Sequence, residues 1–100
     1  MPWLIAYDIQ NDRLRNKTAA QLLAAGCYRL QFSVFAGDLN ETVFRQLEAW
    51  LKKNVGASKN PSDKVLILDL GPGQLQSTKW IGQPPDDWEL LTDPPDVFFI

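Results

Sequence analysis

A change of hydrophobic period, made twice, constrains this chain more than any other feature. Pro2 to Ile9 is an apolar run with aromatic and branched members, which predicts a strand buried on both faces. The next stretch switches to helical spacing. Asp12 is its expected cap, Ala19, Leu22 and Leu23 form an inner face, and Gly26 is the stop near residue 25. Tyr28 to Phe35 then alternates strictly. Tyr28, Leu30, Phe32 and Val34 are expected beneath helices; Arg29, Gln31, Ser33 and Phe35 point the other way. Gly37 permits a bend, and a short further strand fits within 33–39. Asn40 opens a second helix, with Leu39 and Phe44 placed as a hydrophobic staple and Val43, Leu47, Trp50 and Leu51 as the buried stripe. Glu41–Arg45 and Glu48–Lys52 are i, i+4 pairs on its solvated side, worth ~0.2–0.5 kcal/mol each.

Gly56 to Asp63 reads as a loop and Lys64 to Leu70 as a buried strand that Gly71-Pro72-Gly73 breaks. Gln74 to Ile81 is expected as a weaker strand. Pro84-Pro85 and Pro94-Pro95 frame an acidic tail ending in Val97-Phe98-Phe99-Ile100, four apolar residues suited to adding a strand to a sheet. The predicted organisation is one domain over 1–82 and a proline-rich acidic tail over 83–100. Strand and helix alternate as in an α+β sandwich with both helices on one face of a mainly antiparallel sheet, and the ferredoxin-like βαββαβ arrangement fits best. Its second sheet face is left open, and the Arg29, Gln31, Ser33, Phe35 row is expected there.

Composition removes several chemistries. Cys27 is the sole cysteine and histidine is absent, which excludes an intrachain disulfide, a Cys/His zinc site and a Ser-His-Asp triad. Catalysis must then use carboxylates, hydroxyls, Lys/Arg or an oxygen-liking cation. No apolar run approaches the ~20 residues of a membrane span, and Asp8 and Asp12 interrupt any signal-peptide pattern, so a cytoplasmic location is expected. Residues 1–60 hold eight Lys/Arg against five acids, whereas 61–100 hold two Lys against seven acids. The overall pI near 4.9 argues against generic polyanion binding but permits a basic site in the first sixty residues.

Chemistry concentrates after the first strand. An acid at the end of a buried strand is costly to desolvate without a partner. Asp8 can hold a cation, cap the next helix or pair with Arg15. Arg13, Arg15 and Lys17 open a helix against the preference of its dipole, which points to an external anion such as phosphate, or to plain surface charge. Ser33 suits a sheet hydrogen bond better than nucleophilic attack, because no base is present to activate it. Tyr7 fits packing and Phe35 an interface. The four Trp are scattered without basic neighbours, a pattern for core or interface.

Tyr7-Asp8-Ile9, Asp12-x-x-Arg15-x-Lys17 and Gln31-Phe32-Ser33-Val34-Phe35-x-Gly37-Asp38-Leu39 together resemble the small CRISPR-associated protein that partners the spacer integrase. The likeness covers roughly residues 3–55, and Asp63–Leu70 fits that family's later strand. It implies a ferredoxin-like homodimer whose sheets meet, acting as a metal-dependent endonuclease on RNA or DNA or as a bridge in the complex that inserts spacers. The family's key acid, proposed to hold Mg²⁺, falls on Asp8, with supporting positions at Tyr7, Arg15, Lys17, Arg29 and Phe35. On this likeness Asp8, Arg15 and Arg29 are the catalytic candidates, and Arg13, Arg15, Lys17 and Arg29 the nucleic-acid contacts. Tyr7, Ser33 and Phe35 are the interface candidates, and the expected partners are a second copy, the integrase and nucleic acid, with no membrane. Leu14 stands where many members have another arginine, and the acidic tail matches no family motif. A ribonuclease toxin on the same scaffold and a ligand-sensing module are the readings from outside this system.

Overall fold

The computed structural model describes residues 1–93. Six elements follow the expected order: β1 (Pro2–Asp8), α1 (Asp12–Ala24), β2 (Tyr28–Gln31), β3 (Val34–Asp38), α2 (Glu41–Asn54) and β4 (Lys64–Asp69), then a short α3 (Trp88–Thr92). The sheet order is β2-β3-β1-β4, and every neighbouring pair is antiparallel. The helices α1 and α2 each connect two parallel strands separated by a third, so the two βαβ units interleave as in a ferredoxin-like sandwich. No helix among the described residues is long and apolar enough to cross a membrane.

The helix boundaries follow from capping. Asn11, not Asp12, is the N-cap of α1, its side chain accepting from Leu14 N at 2.9 Å; Asp12 is the first helical residue. Asn40 caps α2 as expected, accepting from Val43 N at 2.8 Å. Gly26 takes φ +103° after α1, a value open to glycine, and reverses the chain into β2. The inner face of α1 is Thr18, Ala19 and Leu22, whereas Leu23 is exposed. Thr18 is buried at no polar cost, because its hydroxyl donates to Leu14 O at 2.9 Å.

The main core lies between helices and sheet and joins Ile5, Tyr7, Phe35, Leu22, Leu47 and Leu51. Trp3 stacks on Phe44 at 4.0 Å between centroids along its rim. A smaller cluster lies on the other sheet face, where Ala36 meets Leu75 and Leu91, flanked by Tyr28, Leu30, Leu70 and Trp88. The segment after β4 thus covers the β2–β3 half of the face expected to be open. Its residues 74–77 form turns and 78–81 are irregular, in place of the anticipated strand: the hydroxyls of Ser77 and Thr78 both donate to Gln74 O, and only Leu75 is buried. The acidic tail is part of this cover as far as Asp93; the expected added strand at 97–100 lies outside the described residues.

Two face assignments are corrected. The single strand over 28–35 is two strands joined by Phe32 and Ser33, with a bulge between Arg29 and Gln31. This reverses the expected sides: Tyr28 and Leu30 lie on the second face, whereas Arg29 and Phe35 lie beneath the helices. The strand β4 is an edge, not a doubly buried strand. Val65 and Ile67 pack against the core, while Leu66 and Leu68 on the opposite face are 60% and 49% exposed.

Candidate functional site

Period two along β1 fixes where its acid sits. Ile5 and Tyr7 are buried under the helices, so Leu4, Ala6 and Asp8 share the second face. Leu4 lies opposite Leu68, Ala6 opposite Leu66, and Asp8 opposite Lys64. Asp8 is exposed and takes part in no ion pair or side-chain hydrogen bond among the described residues. Both structural uses open to it in the sequence are taken by others: Asn11 caps α1, and Arg15 pairs with Asp12. What remains is a carboxylate at the end of a sheet, with a cation across the strand and exposed leucines behind it.

Arg15 is committed to the protein itself. One guanidinium nitrogen donates to Ile9 O at 3.1 Å and Gln10 O at 3.5 Å, and another binds the Asp12 carboxylate. Those carbonyls directly follow Asp8, so the expected catalytic arginine is a brace for the strand end. Arg13 and Lys17 are exposed on α1, free to meet an anion. Arg29 is not brought to Asp8 within one protomer. Its guanidinium lies 5.0 Å from the Phe35 ring centroid, on the helix side of β2, whereas Asp8 is on the other face. Within one protomer these two catalytic candidates therefore stand on opposite faces of the sheet.

Of the three interface candidates, Tyr7 packs in the core as its residue type suggests, whereas Phe35 and Ser33 sit elsewhere than anticipated. Phe35 is fully buried, opposite Ile5 in the central pair of strands, and stacks on Tyr7 at 6.0 Å. Both rings belong to the core because odd-numbered positions of β1 and β3 face the helices. Ser33 is in the turn at φ +65°, its carbonyl accepting from Tyr7 N at 3.1 Å.

Asp63 was missed. It leads into β4 and accepts from Gln10 N at 3.0 Å and from the Ser58 hydroxyl at 2.6 Å. These bonds, Ser58 first and Gln10 second, hold its carboxyl below the ordinary aspartate range. Asp63 takes the N–H of Gln10 while Arg15 takes the carbonyls of Ile9 and Gln10, so two side chains of opposite charge fix the backbone just beyond Asp8. Beside this clamp a groove of about 560 Å³ runs between Gln10, Leu14, Ser58 and Asn60. Nothing in the sequence marks Asp63 beyond its position before a strand; only tertiary pairing reveals it.

The profile of the family described as CRISPR associated protein Cas2 matches residues 1–78. The chain belongs to the Cas2 family. It is 34% identical over 82 residues to the protein named CRISPR-associated endoribonuclease Cas2 2 of Pyrobaculum aerophilum, spanning 82% of this chain and 87% of that one. A protein of the same name from Synechocystis sp. is 43% identical, covering 98% of this chain and 97% of its own. Among solved structures, a hypothetical protein from Thermus thermophilus superposes with TM-score 0.68 at 26% identity, over 84% and 93% of the two chains. A Cas2 crystal structure superposes with TM-score 0.61 at 24% identity, over 100% and 98%, and shows the shared fold. The Cas2 fold therefore accounts for the topology.

The donor set bears on a Cas2 metal centre. No group of three or more acidic or thiol side chains gathers among the described residues. Mg²⁺ commonly keeps several waters and takes one or two protein carboxylates. Asp8 supplies one exposed carboxylate of the kind such an ion takes.

Proposed function

We propose that this Cas2-family chain is an endoribonuclease of CRISPR adaptation that works as a homodimer, with an Asp8 carboxylate from each protomer holding Mg²⁺. The observation that carries the reading is the placement of Asp8. It is exposed and uncommitted on the sheet face that also exposes Leu66 and Leu68, so apolar association there brings two copies of the acid close. The names of the relatives from Pyrobaculum aerophilum and Synechocystis sp. support the reaction class. Mg²⁺, when bound, supplies charge neutralisation at the scissile phosphate and a more acidic water. The chain's own part is to hold both carboxylates in place through the Arg15 and Asp63 clamp and to attract phosphates through Arg13 and Lys17. Arg29, on the other face of the sheet from Asp8, would serve as a peripheral phosphate contact.

Asp8→Asn keeps the size and loses the charge. Cleavage of RNA with Mg²⁺ should fall at least about a hundredfold, the scale of losing a catalytic electrostatic group. Retained cleavage by this variant would remove the proposal. A second reading, a non-catalytic bridge between nucleic acid and the spacer integrase, is favoured by the commitment of Arg15 to the protein itself. It predicts spacer acquisition that persists with Asp8→Asn.

A further inference from the structure

The last register pair of β1 and β4 sets a cation beside the candidate acid. Asp8 stands opposite Lys64, one step beyond Tyr7 and Val65. Directly opposed residues of an antiparallel pair share a face, with Cβ atoms ~4.5–5.5 Å apart. A clamp holds that spacing. Asp63, immediately before Lys64, accepts at 3.0 Å from the N–H of Gln10, two residues past Asp8. The strand ends are thus tied together just beyond the pair, and ammonium and carboxylate rise from one fixed platform. Lys64 is exposed and takes part in no ion pair among the described residues, although Asp63 precedes it and Asp8 opposes it. Asp63 is occupied by Gln10 and Ser58.

We infer that Lys64 is a further catalytic residue: its ammonium contacts a non-bridging oxygen of the scissile phosphate beside Asp8 and stabilises the negative charge that builds there during cleavage. A phosphodiester is anionic, and Asp8 by itself would repel it; Lys64 offsets that repulsion on the same face. The other cations of the region are placed elsewhere. Arg15 is bound to Ile9 O and Asp12, and Arg29 lies on the helix side of the sheet. Arg13 and Lys17 belong to α1, in the helix layer. Of the Lys and Arg within the four strands, Lys64 alone shares the face of Asp8. A lysine on an edge strand also discourages pairing between edges, but that role is indifferent to register and leaves Leu66 and Leu68 bare. No proton or electron pair passes through the ammonium, which acts as a fixed charge. The inference rests on the endoribonuclease reading for the reaction, though not for the phosphate contact.

Two variants test it: Lys64→Met keeps an unbranched stem and removes the charge, and Lys64→Arg keeps the charge. Binding of a labelled RNA is measured over a salt series without divalent metal, in the wild-type and the Asp8→Asn backgrounds. In both, Lys64→Met should lower the slope of log affinity against log salt by about one, the share of a single phosphate contact, and Lys64→Arg should keep it. With saturating Mg²⁺ and RNA, Lys64→Met should lower kcat at least about tenfold, the scale of losing one hydrogen bond to a charged group, and Lys64→Arg should recover most of it. An unchanged slope overturns the contact. A slope that changes only with Asp8 intact overturns it too, reducing Lys64 to a counter-charge for the acid. An unchanged kcat in Lys64→Met overturns the catalytic role. Failure of the nuclease reading is a different result, cleavage absent from wild type or retained by Asp8→Asn, and the salt slope then decides the phosphate contact by itself.

Discussion

Asp63 shows how a carboxylate can matter without touching a substrate. Its two hydrogen bonds favour the charged form, so its folded pKa lies below the ordinary value of 3.8. A group of this kind stabilises the fold fully above its unfolded pKa, and that contribution disappears as pH falls through the depressed folded value. Wild-type protein should therefore lose stability below about pH 4 more steeply than Asp63→Asn, as read by urea unfolding at a series of acidic pH values. Parallel curves would show that the clamp does not depend on charge. Cys27 titrates in the opposite sense: burial pushes its thiol up to about 11, which keeps it neutral and inert at ordinary pH. At this scale the sequence disclosed Asp8 because an acid interrupts an apolar run. It hid Asp63, whose partners Gln10 and Ser58 are joined to it only by folding.

The order of strands and helices was legible because each element carries its own period, and Asn40 announces its helix by side-chain chemistry. The sides of β2 and β3 were not. Residues 28–35 keep one alternation through a turn that has no glycine, proline or asparagine to mark it, and Ser33 adopts an uncommon backbone conformation there. Gly37 lies inside β3, the short strand expected within 33–39, where a close approach requires glycine. A Cβ at that position would stand 3.0 Å from Cys27 Sγ and 3.1 Å from Cys27 Cα. The sulfur could turn aside, but the backbone could not. Gly37→Ala should lower stability by about 1–3 kcal/mol, measured by chemical denaturation, and Cys27→Ala should fail to restore it. Full rescue would place the conflict in the side chain alone.

For the whole molecule the consequential feature is the unequal cover of the second sheet face. Leu75, Trp88 and Leu91 shield the β2–β3 half, and Leu66 and Leu68 leave the β4 edge bare. A charge placed there should block association of two copies while leaving the protomer folded, because the side chain is outside its own core. Leu68→Glu is expected to sediment as a monomer and to lose metal-dependent cleavage with Asp8 intact. A dimer of normal activity would move the mating surface elsewhere. Sequence patterning disclosed a two-layer sandwich but not this half-cover, since Leu75, Trp88 and Leu91 are isolated apolar positions with no periodicity to group them.

That half-cover also sets the smallest fragment worth expressing. A chain cut at residue 82, where the sequence composition suggests a boundary, would keep all four described strands yet discard Trp88 and Leu91. Tyr28, Leu30 and Ala36 would then face water as a sticky ledge, and the truncated product should come out of solution rather than yield a tidy minimal nuclease.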